Sequence, residues 1–209
     1  MGAIKLEWLD IRDLTERDAA LCADRLPQRF ERSQAFLHEA NRLRCLGAGL
    51  LMLRLGLRDE ADIVYGTHGK PSVAYLPPFN VSHSGNYVVC AVGESSQGET
   101  SLGVDVERLG ACFIDVAKRV YVDEELDWMQ QKSVDQRFYT LWTCKEAVMK
   151  LFGEGLYMEP KSFNVMPLIR GESLTVNGVE IHARFEMFDD HTVCAVSTTT
   201  EIEDATTVR

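Results

Sequence analysis

The sequence lacks a C-x-x-C pair, an apolar run long enough to cross a bilayer, any low-complexity segment, and an excess of positive charge. Each absence excludes a class. Without metal or redox spacing, Cys22, Cys45, Cys90, Cys112, Cys144 and Cys194 read as small buried hydrophobes of a reducing compartment, as in Val88-Val89-Cys90-Ala91-Val92. The longest apolar stretch, 46–57, is interrupted by Arg54, and residues 1–10 carry no basic region followed by an apolar core. No membrane span and no signal peptide are therefore expected, and the cytoplasm is the expected location. A formal net charge of -10 argues against a nucleic-acid surface, because phosphate backbones are held by clustered Lys and Arg.

What is present fits a folded chain of 209 residues, enough for one good-sized core or two small lobes packed together. Between Arg25 and Arg58 the charge balance inverts: Arg25, Arg29, Arg32, Arg42, Arg44, Arg54 and Arg58 meet only Glu31 and Glu39. This basic island on an acidic protein is a candidate anion site or a solvated helix face.

Local signals divide the chain. Thr15 with Asp18 three residues on predicts a helix cap, Pro27 predicts the first turn of the next helix, and Leu43, Leu46, Leu50 and Leu53 recur at helical spacing. The first quarter is expected to be mainly helical. Gly69, Pro71, Pro77 and Pro78 then punctuate short extended pieces. Strands are expected at 87–92 and 101–106 around a polar loop at 93–100, and helices at 114–119, 123–131 and 133–153, the last capped by Ser133 with Gln136. Strand-like alternation returns at 162–168, 173–176, 179–188 and 192–197. Helices followed by strands, twice over, predict an α+β fold of two similar lobes, 1–102 and 103–209.

Four groups of residues could carry chemistry. In Gly103-Val104-Asp105-Val106-Glu107, strand alternation puts both carboxylates on one face and Leu102, Val104 and Val106 on the other. Such a pair suits a hard cation such as Mg²⁺, or is simply a solvated face. In Trp142-x-x-Lys145-Glu146-x-x-x-Lys150, helical geometry puts Trp142, Lys145, Glu146, Met149 and Lys150 on one side, beside a core stripe of Phe138, Leu141, Val148 and Phe152. Glu146 could add a third carboxylate and Lys150 a phosphate contact, or the two could form an ordinary surface i,i+4 pair. Asn80-Val81-Ser82-His83-Ser84-Gly85, just before a strand, is a compact set of donors that could hold phosphate oxygens or form a serine-rich turn. No G-x-S-x-G elbow surrounds it, which disfavours a Ser/His nucleophile. Gly69-Lys70-Pro71 is a rigid turn presenting a cation.

Taken together and in this order, the four groups resemble the 4'-phosphopantetheinyl transferase superfamily, in particular its larger, single-chain pseudo-dimeric (Sfp-type) branch. The motifs span Gly69 to Lys150, and the likeness extends over nearly the whole chain. It implies pseudo-two-fold lobes, each a small antiparallel sheet with helices, and an active site at their interface. It implies Mg²⁺ on Asp105, Glu107 and Glu146, with Glu146, directly or through a water, as general base. Lys150 would contact the coenzyme A pyrophosphate, with Lys145 beside it. Ser82 and His83 would meet phosphates of the nucleotide end, Lys70 and Pro71 would border the adenine, and Arg29, Arg32 and Arg44, or Arg42 in place of Arg44, would grip the 3'-phosphate. The implied reaction moves 4'-phosphopantetheine from coenzyme A to a serine of an acyl or peptidyl carrier protein. The carrier would dock near Phe113, Ile114, Lys118 and Arg119, and a monomer is expected. Two other readings share these residues: a module that binds coenzyme A or the carrier without transfer, and an Mg²⁺-dependent nucleotide pyrophosphate hydrolase.

Overall fold

The computed structural model describes residues 4–93, 101–198 and 202–207. In chain order the elements are β1 (Ile4–Asp10), α1 (Glu16–Arg25), α2 (Pro27–Gln34), α3 (Glu39–Arg54), β2 (Val64–Tyr65), β3 (Pro71–Ser72), β4 (Phe79–Ser84), β5 (Tyr87–Gly93), β6 (Leu102–Arg108), α4 (Ile114–Val120), α5 (Asp123–Gln130), α6 (Val134–Phe152), α7 (Met166–Ile169), β7 (Leu174–Val176), β8 (Val179–Phe188), β9 (His191–Ser197) and β10 (Ile202–Thr207). The strands form two four-stranded sheets, ordered β10-β1-β5-β4 and β6-β9-β8-β7, and a small β2-β3 ribbon. The expected α+β class is what the structure has.

Strand alternation explains how the layers stack. On β5, Val88, Cys90 and Val92 enter a core with α1–α3, while Val89 and Ala91 enter a second core with Ile4, Leu6, Leu102, Val104, Val106, Val193 and Ala195. On β9, Cys194 and Val196 turn instead to a third core under α6. The two sheets thus pack face to face, each covered outside by one long helix, and β5 and β9 are buried on both faces along their whole length. This is why β5 reads as a nearly continuous apolar run and β9 carries Val193-Cys194-Ala195-Val196 at its centre. Burial on both faces makes them the most strongly specified elements in the sequence.

Several local expectations hold. Thr15 and Asp18 form a reciprocal capping box on α1, and Pro27 opens α2 at its first position, where the missing N–H is harmless. Others fail for identifiable reasons. Ser133 makes no cap: it sits at φ 49°, and its side chain accepts no bond from the helix. The segment expected as a strand at 162–168 is a 3-10 turn followed by α7, because Pro167 sits in the first turn of that helix and cannot donate to a ladder. At least three strands escaped the reading: β1 lies in the first quarter, expected to be helical, β4 carries the Asn80–Ser84 motif, expected as a loop, and β10 lies beyond the last expected strand. The loop expected at 93–100 falls on residues 94–100, outside those described.

The chain also crosses the expected division at 102/103. β10 leaves the second half and pairs in parallel with β1, extending the first sheet. Side chains join the sheets too. His191 of β9 is almost wholly buried, with Nε2 3.2 Å from the Ser84 carbonyl in the β4–β5 turn. Gly85, at φ 52°, is required there, because a Cβ would stand 2.4 Å from that nitrogen.

Candidate active site

β4, β6 and α6 bring the candidate groups together. β6 turns Leu102, Val104 and Val106 into the core between the sheets, so Gly103, Asp105 and Glu107 face α6. From α6 come Trp142, Glu146 and Lys150, spaced four residues apart on one side of the helix. From β4 come Asn80, Ser82 and Ser84, alternate residues that point towards β6.

At the centre, the Lys150 ammonium bonds Asp105 Oδ1 and, at 2.9 Å, Ser82 Oγ, while Ser82 donates to Asp105 Oδ1 at 2.7 Å. Asp105 is buried, and its Oδ2 has no hydrogen-bond partner among the described residues. Ser84 donates to Glu107 at 2.8 Å. The acids crowd one another. Glu146 is pushed up to about 7 by desolvation and then by the charge of Asp105, against the pull of Lys150. Glu107 is raised by burial and Asp105, with Ser84, Lys150 and Trp142 pulling it back.

Across β4 lies a cavity of about 390 Å³ lined by Arg29, Arg32, Asn41, Arg44 and His83. Arg29 donates to the Cys45 carbonyl and Arg44 to the Gly85 carbonyl and Asn41 Oδ1, while the Nε of both arginines is buried without a partner among the described residues. Three arginines line this cavity with no acid among the described residues of its wall, a charge balance that suits an anion. His83 is depressed by desolvation and then by the cations Arg44 and Lys150. Arg42, the alternative to Arg44, does not line the cavity; it pairs with Glu39 on the surface. A second cavity, about 210 Å³, is lined by Lys70, Pro71, Asn80, Val81, Glu146 and Lys150.

One expectation needs correction. Lys145 does not stand beside Lys150. It is fully buried on the core side of α6, where its ammonium meets Glu125 at 3.0 Å and the carbonyls of Pro160 and Phe163 at 2.8 Å each. All three N–H groups are thereby used. One residue is about 100° of helical turn, enough to carry position 145 from the site into the core, and Met149 is buried with it. Among the described residues, moreover, no three His, Cys, Asp or Glu side chains gather closely enough to hold a metal ion by themselves. Lys150 bonds one oxygen of Asp105, and Ser84 donates to Glu107.

The clamp around Lys145 carries a stability prediction. Glu125 also accepts from Val122 N at 2.9 Å and Val165 N at 2.8 Å, so this ion pair ties α5, α6 and the segment before α7 together. Lys145→Met strands a buried carboxylate and is expected to cost about 3–5 kcal/mol in urea unfolding. The double variant Lys145→Met/Glu125→Gln should recover much of that loss. Equal stability of single variant and wild type would show that the pair holds nothing.

An acid and lysine centre, with a buried-arginine anion cavity one strand away, defines an enzyme that handles phosphorylated substrates. A model of the 4'-phosphopantetheinyl transferase superfamily matches residues 101–197. A 4'-phosphopantetheinyl transferase of Bacillus subtilis is 32% identical over 194 residues, covering 88% of this chain and 80% of the relative. The 4'-phosphopantetheinyl transferase Sfp of Bacillus subtilis (strain 168) is 30% identical over 183 residues, covering 82% and 75%. The 4'-phosphopantetheinyl transferase AcpT of Salmonella typhimurium matches 51% of the chain at 32% identity, covering 57% of the relative. The chain belongs to the 4'-phosphopantetheinyl transferase superfamily, in its Sfp-type branch.

Some site residues were legible only in part. Ser84 and Asn80 stood inside a quoted motif without a role, although the period-two pattern of polar 80, 82 and 84 against Phe79 and Val81 is a strand signal. His191 had no signal at all. Among the described residues, no helix is long and apolar enough to cross a membrane.

Proposed function

We propose that this enzyme transfers the 4'-phosphopantetheine moiety of coenzyme A to a serine of an apo acyl or peptidyl carrier protein, releasing 3',5'-ADP. One observation carries the reading: adjacent residues of β4 face two different anion sites. Ser82 bonds the Lys150 and Asp105 centre, while His83 lines the arginine cavity. Coenzyme A presents two phosphate groupings of this kind, a pyrophosphate at the scissile bond and a 3'-phosphate on the ribose. Lys150 serves the first, and Arg29, Arg32, Arg44 and His83 the second. Lys70 and Pro71 line the cavity that Glu146 and Lys150 also line, where the adenine is proposed to lie.

Mg²⁺ fits the acids in its usual sparse form, one or two carboxylates with water and substrate phosphates completing the shell, and the free Oδ2 of Asp105 is the first ligand. Glu107 and Glu146 would be the others, both raised by burial and by the charge of Asp105, a repulsion that a bound cation would offset. When bound, the ion neutralises charge on the pyrophosphate oxygens.

The remaining chemistry belongs to side chains. Glu146, beside Lys150 in the wall of the same cavity, is placed to take the proton of the carrier serine, directly or through a water. The serine oxygen then forms its bond to the β-phosphorus as the bond to the α-phosphate oxygen breaks. Lys150 offers positive charge to the departing 3',5'-ADP. One chain supplies both anion sites, which supports a monomer. A long helix on each sheet supports two related lobes, 1–102 and 103–209, apart from the exchange of β10.

For the carrier we infer docking at Phe113, Ile114 and Val116, exposed apolar residues beside the exposed cations Lys118 and Arg119. Mass spectrometry of apo carrier proteins incubated with coenzyme A and Mg²⁺ tests both readings. A gain of about 340 Da on serine is expected from transfer of this group, and Lys118→Glu/Arg119→Glu should raise the carrier KM about tenfold through lost steering. Release of 3',5'-ADP with no mass gain on any carrier sinks the transferase reading, and an unchanged KM sinks the docking site.

A further inference from the structure

β6 is the end strand of its sheet, bonded to β9 on one side only. On its free side, backbone groups of alternate residues point outward, and buried groups of that kind must find partners. β4 of the other sheet runs alongside but forms no ladder with it. Three side chains meet the outward groups instead. The Lys70 ammonium donates to the Leu102 carbonyl at 2.8 Å, Val104 N donates to Asn80 Oδ1 at 2.9 Å, and Arg108 N donates to Ser84 Oγ at 3.1 Å. Residues 102, 104 and 108 share one parity, so these bonds lie along one edge.

Lys70 does more than close that edge. Its ammonium also donates to the Leu151 carbonyl at 3.0 Å, one of the last carbonyls of α6, which lacks an intrahelical partner. A cation at a helix C-terminus is favourably placed for the dipole as well. The two carbonyls belong to the strand that carries Asp105 and Glu107 and to the helix that carries Glu146 and Lys150. Asn80 is buried and Lys70 is half-buried. Two of the three N–H groups of Lys70 are thus spent on protein backbone, although the turn that bears it lines the substrate cavity.

We propose that Asn80 and Ser84 of β4, with Lys70 in the turn before β3, are positioning residues that lock the free edge of β6, fixing the acids and α6 relative to the arginine cavity. Because the acids and the arginine cavity sit on different sheets, this edge joint helps to set their spacing, beside the core between the sheets. A shift of about 1 Å between them costs on the order of a hundredfold in rate. The lysine and asparagine act through β6 and α6 and do not grip phosphate.

The kinetic half of the test rests on the proposed transfer, whereas the exchange half does not. Lys70→Met keeps the aliphatic stem and removes the donors. Its kcat is expected to fall about 10- to 100-fold with the KM for coenzyme A within about threefold of wild type. By NMR, the Val104 amide should exchange at least about tenfold faster in the substrate-free protein, although its own acceptor, Asn80, is untouched. Adding Asn80→Leu to Lys70→Met should lower kcat by less than about threefold more, because the edge is already released. If Lys70→Met is insoluble, Asn80→Ala empties the middle bond and is read at Arg108 N in the same way. A tenfold rise in coenzyme A KM with kcat retained, additive losses in the double variant, or unchanged amide exchange each overturns the proposal. Should wild type transfer nothing, the exchange result alone decides it.

Discussion

Asp105→Asn is expected to lower kcat/KM for carrier modification by about a thousandfold or more, with no loss of melting temperature in the metal-free protein. The side chain keeps its shape but loses what the site uses. Oδ1 accepts from both Lys150 and Ser82, and Oδ2 is the unpartnered buried oxygen proposed to meet Mg²⁺. An amide must turn its NH₂ towards one of these places, so either two donors face a third or the metal loses its ligand. Removing a single preorganised charge contact costs about 10²–10³ in rate, and a lost metal ligand adds to that. Stability moves the other way. Glu146 is held at about 7 instead of 4.5, so the folded state binds its proton more tightly than the unfolded chain does. That contribution is fully present below about pH 4.5 and is lost as pH rises through 7. Desolvation, the larger cause, persists in the variant, but the repulsion from Asp105 is gone. The decline in melting temperature from pH 5 to 8 should therefore be shallower for Asp105→Asn than for wild type, both measured in chelator. Turnover within tenfold of wild type would end the case for this aspartate as the central ligand.

The parts of this architecture that the sequence made legible are those where local chemistry and tertiary burial agree. β8 was bounded correctly at 179–188, helped by the Asn177-Gly178 pair before it, whose positive φ values of 51° and 79° suit a tight two-residue hairpin turn. Asp105 and Glu107 could be set on one face because period-two alternation is rigid. The misses lie where the two disagree. β1 carries the alternation Ile4, Leu6 and Trp8 against Lys5 and Glu7, a strand signal that the helical reading of the first quarter passed over, and its partners on both sides, one of them from the far end of the chain, lie outside any local window. Lys145 reads as a surface lysine, and only the distant Glu125 and the carbonyls of Pro160 and Phe163 make its burial tolerable. The arginine cavity was legible as a charge imbalance and, through the family resemblance, as Arg29, Arg32 and Arg44, but with Arg42 left as an alternative to Arg44. Which arginines turn inward depends on how α2 packs on α3, and Arg42 turned out.

Gly103 presents the largest structural effect of a single methyl group. It lies on β6 beneath α6, and a Cβ there would stand 2.1 Å from the Ala147 carbonyl oxygen and 2.5 Å from Leu151 N. Those atoms are four residues apart, acceptor and donor of one helical hydrogen bond, so the methyl would press on the helix backbone itself. No rotamer change relieves such a contact, and α6 must move off the sheet. The same helix packs Leu141, Cys144 and Val148 into the third core and turns Glu146 and Lys150 towards the site. Gly103→Ala is therefore expected to destabilise the protein by about 3 kcal/mol or more, at the upper end for overpacking, which corresponds to a fall of roughly 6–12 °C in melting temperature for a chain of this size. Activity should fall further than stability explains, because Lys150 retreats from Asp105 with the helix. Gly66→Ala is the control: its added Cβ would meet nothing closer than the Lys70 carbonyl at 3.6 Å, an ordinary contact. A melting temperature for Gly103→Ala within 2 °C of wild type, about the effect of 1 kcal/mol at this length, would mean that α6 does not seat on β6 as closely as the structure has it.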